Sequence, residues 1–444
     1  MSVRRYYTWL MRLALPLALA RLYWRSLRTP AYRARIGERL AWSSAPAPRA
    51  EIWIHAVSVG EVQAAAPLVR HLLARIPTRR ILVTTTTPTG ADRVRELFGD
   101  CVAQHYLPFD LPSIVGRFLT QAQPQCLIVM ETEIWPNLLA ACAERGIPAV
   151  LANARLSAQS ARGYARLPQL TRTTLAHFTA IAAQTAADAE RFIALGAAPA
   201  RVTVMGNLKF EQIPPADAQR RAAVVRESWG GAARPVWVAA STHEDEEAQL
   251  LAVHQQLRTQ LPNALLVLVP RHPERFERVA ALITRQNLTS ARRSAQVKNP
   301  SKFPFEPWEL IPAETAVFLG DSMGELPLLL AAGDVAFIGG SLVRVGGHNP
   351  LEAAAVGVPV IIGPHTFNFA AITEWLIDAG AAVQIADTEA LEKQLQQWLM
   401  NAALRAEIGE HGRRMVEENR GALVRLVELL DAVTARCAAA NLMI

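Results

Sequence analysis

Short runs of Val, Ile and Leu, each followed by a stretch long enough for a helix, recur along this chain, stop, and begin again. The first series starts at Ile52, Ile81, Leu127, Ala149 and Val202; the second starts at Val236, Leu265, Val317, Val335 and Val358. Apolar runs without strict alternation suit strands buried on both faces, and an intervening helix is the crossover that parallel strands require. The polar stretch 207–234, with Pro214 and Pro215, separates the two series. At 444 residues, 51% of them hydrophobic and 19% charged, the chain exceeds what one core supports. The pattern predicts two doubly wound α/β domains, at 45–213 and 235–400, joined by a linker at 214–234. A basic segment, 1–40, precedes them and a helical segment, 401–444, follows. Such halves bind ligands at the carboxyl ends of their strands, in a cleft between them when two face each other. The polar segment 292–307 reads as a surface loop within the second half.

The net charge of +7 does not point to nucleic acid, because residues 1–40 carry nine arginines against Glu38 alone and leave the rest nearly neutral. The same end is apolar and aromatic, with Tyr6, Tyr7, Trp9, an uncharged run from Leu13 to Ala20, then Tyr23 and Trp24. A spanning helix needs about 20 mostly apolar residues, far more than Arg12 and Arg21 enclose here, and Pro16 interrupts them. The segment reads as a short membrane-associated helix lying at an anionic lipid surface. A signal peptide ending near Ala20 and an ordinary buried helix are the alternatives. Cys101, Cys126, Cys142 and Cys437 lie far apart, so they suggest neither zinc nor a disulfide framework, and a reducing compartment fits.

Several motifs stand where a predicted strand meets a helix. In His55-Ala56-Val57-Ser58-Val59-Gly60-Glu61, Ser58 and Glu61 have the spacing of a capping box. The functional reading makes Glu61 a base kept ionised by the helix start, with Gly60 admitting a substrate to the backbone. Glu131 and Glu133, directly after an apolar strand, share a side if the chain stays extended there. Lys209 closes the first half and is either a solvated linker lysine or a group for an anionic substrate. The acidic run after Ser241-Thr242-His243 reads as helix-start chemistry, because the spacing of a metal-binding HExxH is absent. Arg271 and His272, between Pro270 and Pro273, suit a phosphate or carboxylate. The glycines of 320–326, which include Met323, Gly324 and Glu325, and of 339–341 and 346–352 expose amides for an anion, or are simply turns. Asn349 and Glu352 follow, and a carboxylate such as Glu352 can hold sugar hydroxyls. No nucleoside-triphosphate loop, dinucleotide fingerprint or GxSxG elbow is present.

Together these blocks resemble one family. HAVSVGE at 55–61, TTTTPTG at 84–90, PFD at 108–110, ETEIWPN at 131–137, NARLS at 153–157 and GNLK at 206–209 lie in the first half. STHEDEE at 241–247, PRHPERF at 270–276, GDSMGEL at 320–326 and GGHNPLEAAAVGVPVIIGPHTFNF at 346–369 lie in the second. The resemblance is to the Kdo (3-deoxy-D-manno-octulosonic acid) transferases of lipopolysaccharide assembly, over about residues 50–370. It implies a GT-B fold of two Rossmann-like domains facing a central cleft and an inverting, metal-independent glycosyltransferase without a cofactor. It implies CMP-Kdo as donor, a lipid A precursor (lipid IVA) as acceptor, and a place on the cytoplasmic side of the inner membrane. In that family the residue matching Glu61 is the general base, and Arg271, Gly324, Glu325, Asn349 and Glu352 match positions around the donor. Ser58, Gly60, Glu131, Glu133 and Lys209 match acceptor or cleft positions; His243, His272 and Met323 match donor positions. Ala353 stands where a proline is expected, which questions the helix geometry beside Glu352. A sugar-nucleotide epimerase, or a non-catalytic nucleotide or lipid binder of the same architecture, is the competing reading.

Overall fold

The computed structural model describes residues 3–27, 29–42, 44, 46–76, 78, 80–211, 218–296 and 308–441. They form two compact units, Met1–Glu211 with Arg420–Ile444, and Gln212–Asn419.

The first unit is built on a parallel sheet of seven strands: β1 (Ile52–His55), β2 (Ile81–Thr85), β3 (Ala103–Tyr106), β4 (Cys126–Met130), β5 (Ala149–Ala154), β6 (Ala180–Ala183) and β7 (Val202–Val204). Their spatial order is β3-β2-β1-β4-β5-β6-β7, so the winding reverses between β1 and β4. Strand alternation sorts the core. Ile52, Ile54, Val83, Ile128 and Val150 face Val62, Leu68 and Val69 of helix Val59–Arg75, whereas Trp53, Leu82, Leu127, Val129 and Leu151 face Phe118, Leu138, Phe178 and Phe192. Leu426, Leu430 and Val433 of helix Ala422–Asn441 close the first of these cores, each adding roughly 1.5–3 kcal/mol of burial. The stretch expected as one C-terminal helical segment is therefore two helices, of which Ala402–Glu418 belongs to the second unit.

The N-terminal residues form a helix, Val3–Ser26, with Pro16 inside it. Met11 and Leu15 pack on the second core. The Tyr7 hydroxyl donates to Asp110 Oδ2 (3.0 Å) and Thr8 Oγ1 to Asn137 Oδ1 (3.0 Å). Asp110 also accepts the amides of Asn137 (3.1 Å) and Leu138 (2.7 Å) at the start of helix Pro136–Glu144, whose own N-cap, Trp135, supplies no side-chain oxygen. The opposite face of the N-terminal helix leaves Tyr6, Trp9, Leu10, Leu13, Leu17 and Trp24 exposed. No helix among the described residues is long and apolar enough to cross a membrane.

The second unit has β8 (Val236–Thr242), β9 (Leu265–Pro270), β10 (Ser290–Arg292), β11 (Val317–Leu319), β12 (Val335–Ile338), β13 (Val360–Ile362) and β14 (Ala382–Gln384). All are parallel, in the order β10-β11-β9-β8-β12-β13-β14, and the winding reverses between β8 and β12. The chain thus holds the two Rossmann-like halves that a GT-B fold comprises. The stretch taken as a linker contains helix Ala218–Ser228, followed by the fully buried Trp229. The segment expected to be a surface loop begins instead at Arg292, the last residue of an edge strand, β10, and runs into a short helix, Arg293–Gln296, whose Arg293 is fully buried; its remainder, 297–307, lies outside the described residues.

Candidate functional site

At the first unit's switch point, the loops after β1 and β4 lie side by side, as expected of a ligand-binding edge. Beyond β1 the chain enters helix Val59–Arg75 at Ser58, whose hydroxyl caps no amide. Glu61 turns back instead: its Oε2 accepts the Val57 N–H (2.8 Å), and Ser58 Oγ donates to its Oε1 (3.4 Å). The capping box is only half made, and the carboxylate belongs to the loop as much as to the helix. A Cβ at Gly60 would meet only Ser58 Oγ, at 4.0 Å, so packing does not demand glycine there and room remains beside the helix start.

Burial, and then the charge of Glu131, push the Glu61 carboxyl up to about 8, with Glu133 adding to the repulsion. This overturns the expectation that the helix start keeps Glu61 ionised. Glu131 and Glu133 also reach this place by another route than strand alternation. Glu131 has φ +55°, so the chain turns rather than extends. Its Oε1 lies 3.1 Å from Lys209 Nζ, which makes Lys209 a partner of the carboxylate cluster and not a solvated linker residue. Glu133 accepts the Trp135 indole N–H (2.9 Å), and burial raises its pKa. Ser58, Gly60, Glu61, Glu131, Glu133 and Lys209 therefore form one cluster around a part-buried carboxylate.

In the second unit four motifs end four adjacent strands: GDSMGEL after β11, PRHPERF at β9, STHEDEE at β8 and the glycine-rich run after β12. The ends of β8 and β12 meet backbone to backbone, since a Cβ at Gly339 would lie 2.4 Å from the Ser241 carbonyl oxygen. There His243 Nε2 lies 2.7 Å from His348 Nε2, with the rings parallel and their centroids 5.0 Å apart, and His272 stands edge-on to His243 at 5.5 Å. One Nε2 must carry the proton that the other accepts. Burial, then the neighbouring histidine and Arg271, hold His243 down to about 4 and His348 to about 3, so both are neutral near pH 7. Sequence reasoning did not single out His348, because its partner lies 105 residues away.

Three expectations for this unit are corrected. The amides of Gly340 (2.7 Å) and Leu342 (3.0 Å) are not open to an anion: both donate to the fully buried Glu246. The acidic run is correspondingly no mere helix-start charge, since Glu246 ties β8 to β12 and Glu247 binds Arg275 (2.8 Å). Glu325 is likewise committed. Its carboxylate takes two hydrogen bonds from Arg293, at 2.9 and 3.0 Å, and one from Ser322 Oγ, at 2.6 Å. Asp321 accepts Arg292 Nε (2.7 Å) and the Ser294 amide (2.8 Å). These carboxylates hold the loop from the side of β10, so a ligand can meet Glu325 only through its backbone. Gly324, at φ +83° with no atom within 4 Å of a Cβ position, and the half-exposed Met323 leave the loop's outer side open. Asn349 Oδ1 accepts the Leu351 amide (3.2 Å) and so opens helix Leu351–Ala355, in which the partly exposed Glu352 precedes the buried Ala353. Absence of the expected proline leaves that helix intact. Arg271 is held by its amide on the Thr242 carbonyl (3.0 Å). Among the described residues no three His, Cys, Asp or Glu side chains are grouped to hold a metal ion.

Residues 34–212 match the family described as 3-deoxy-D-manno-octulosonic-acid transferase (kdotransferase), and residues 308–415 match glycosyl transferases group 1. A 3-deoxy-D-manno-octulosonic acid transferase of Haemophilus influenzae is 43% identical over 96% of this chain and 98% of its own. The chain belongs to the Kdo transferase family. Membership makes it a glycosyltransferase. A second relative in the family, from Bordetella pertussis, is 41% identical over 91% of each chain. Among solved structures, the C-terminal CMP-Kdo binding domain of WaaA from Acinetobacter baumannii is 32% identical, spans 45% of this chain and 97% of its own, and has a TM-score of 0.40.

Proposed function

We propose that this chain moves Kdo from CMP-Kdo to a lipid A precursor, lipid IVA, in lipopolysaccharide synthesis, with inversion at the anomeric carbon and without a metal ion. The observation that carries this reading is Glu61, a part-buried carboxylate at the switch point of the first unit with Glu131 and Lys209 beside it. An acceptor hydroxyl attacks the anomeric carbon as the bond from that carbon to the phosphate oxygen of CMP breaks. Glu61 takes the hydroxyl proton, and CMP leaves with the bonding electrons. A carboxylate with a pKa of about 8 is a stronger base than an ordinary one, and better matched to a proton it must accept near neutrality. In the second unit, Arg271, the outer side of the loop at Met323 and Gly324, and the Asn349–Glu352 turn are the donor-side groups, with cationic and amide donors offsetting charge on the departing phosphate. The paired histidines His243 and His348 stand next to them.

The base must be ionised to act, and its ionised fraction grows as the pH climbs through about 8. We therefore expect kcat/KM to rise about tenfold per pH unit below that point and to level off above it. A flat profile from pH 6 to 9 would remove Glu61 from the role.

The N-terminal helix is assigned to the cytoplasmic surface of the inner membrane. Its exposed stripe runs through Tyr6, Leu10, Leu13, Leu17 and Trp24, and Arg5, Arg12, Arg21 and Arg25 are exposed on the same helix. Each arginine near anionic lipid contributes about 1 kcal/mol, and each inserted leucine roughly 1.5–3 kcal/mol. Replacing both Leu13 and Leu17 by Asp is expected to weaken binding to phosphatidylglycerol-containing vesicles at least about a hundredfold. Unchanged flotation would refute the assignment. For the reaction itself the test is CMP release: it should require the lipid acceptor and persist in a chelator, whereas an epimerase or a binding protein would show no acceptor-dependent release.

A further inference from the structure

Bonded to the residue before Lys209 stands a side chain with no assigned role. Asn153 is the last residue but one of β5, next to the end of β4, and is fully buried. Its φ of +53° is left-handed, like that of neighbouring Glu131, a conformation that a non-glycine residue keeps only where its surroundings impose it. The surroundings are explicit. The Asn153 carbonyl accepts Gln184 Nε2 (3.0 Å), while its Oδ1 accepts the Leu208 amide (3.0 Å). One residue on, the Lys209 amide donates to Asn207 Oδ1 (3.0 Å). Gly206, at φ +93°, turns the chain into this segment two residues after the end of β7. Two asparagine side chains thus hold the two successive amides that set where the Lys209 side chain departs, and its ammonium arrives 3.1 Å from Glu131. Asn153 Nδ2, meanwhile, is buried without a partner among the described residues. A residue that merely filled space would need neither the left-handed backbone nor that unspent donor.

We propose that Asn153, together with Asn207, is a positioning residue for sugar transfer, fixing the turn that places Lys209 against Glu131. The proposal rests on the reading of Glu61 as the base. Glu61 faces Glu131 and Glu133 from the β4 loop and the Val57 amide and Ser58 hydroxyl from its own loop, and Lys209 acts on it through Glu131. A displaced ammonium leaves Glu131 unneutralised, and its repulsion makes Glu61 harder to ionise.

The test compares Asn153→Gly, Asn207→Ala, Lys209→Met and the double variant Asn153→Gly/Lys209→Met in transfer assays with CMP-Kdo and a lipid A precursor. Glycine accepts the left-handed backbone, so Asn153→Gly removes the hydrogen bond without adding strain. Each asparagine variant is expected to lower kcat at least about fivefold and leave the donor KM within about twofold. Each should also move the midpoint of the pH–rate profile upward, in the direction that Lys209→Met moves it. The double variant should be no slower than Lys209→Met alone. Wild-type kcat with an unshifted midpoint, or a double variant slowed by the product of the single effects, would overturn the proposal. If Asn153→Gly does not fold, Asn207→Ala carries the same test from the other side of the turn. Glu61→Gln is run alongside: transfer at wild-type rate by that variant would refute the site itself, whereas an inactive Glu61→Gln beside a fully active Asn153→Gly would refute only this inference.

Discussion

Replacing Glu61 by Gln is expected to lower kcat by about 10²–10⁴, the usual contribution of a positioned base, while CMP binding is retained. The same substitution separates the two roles that the sequence leaves open for this residue. A helix-capping carboxylate would take stability with it. Glu61, however, has a pKa raised above the ordinary value near 4.5 to about 8. The folded chain therefore favours its neutral form, and the stability tied to Glu61 is fully present below the ordinary carboxylate pKa and is lost as the pH climbs through about 8. Gln keeps a neutral group that accepts the Val57 amide. Thermal unfolding of Glu61→Gln at pH 8 or above should match or exceed that of the unsubstituted chain, even as turnover collapses. A loss of several degrees with turnover preserved would return Glu61 to a structural role.

Arg293→Leu is the substitution expected to be most damaging to stability, at roughly 3–5 kcal/mol, because it strands the Glu325 carboxylate in the interior. Both side chains are buried to within 1% of complete, and Arg293 also stacks over Trp308 at 4.0 Å. The double variant Arg293→Leu/Glu325→Leu should recover most of that loss, since it removes the unpaired charge along with the pair. Urea unfolding of the two variants beside the unsubstituted chain checks this, and a cost below about 1 kcal/mol for Arg293→Leu would show that the pair does not anchor the loop. Because Met323 and Gly324 ride on that loop, the double variant is also expected to bind CMP more weakly than its stability suggests.

The interior strands were legible because they are buried on both faces, so Ile52–Ile54, Leu127–Val129 and Leu265–Val269 read as unbroken apolar runs. The unread strands lie at or near the margins. β3, β10 and β14 are edges with polar members, and β6 reads Ala-Ile-Ala-Ala, which has little strand propensity of its own. At the sites, residue types and spacing marked Glu61, Glu131, Lys209 and Arg271 as candidates, and left a capping role open for Glu61 and a solvated one for Lys209. Pairing was not legible. Glu325 looks like a ligand-facing carboxylate until Arg293 is found beneath it, Glu246 fills amides that glycine spacing offered to a phosphate, and His243 meets a histidine far along the chain. Each partner arrives through sheet topology, across separations that local pattern does not encode. The left-handed backbone at Glu131 and Asn153 was equally hidden, because neither is glycine.

The most direct measurement is the mass of the acceptor after incubation with CMP-Kdo generated in situ and lipid IVA, for the unsubstituted chain and for Glu61→Gln. A gain of one or more whole Kdo units with the first, and none with the second over the same time, is expected. An unmodified acceptor with the unsubstituted chain, or equal gains with both, would contradict the assignment of Glu61 as the base for Kdo transfer.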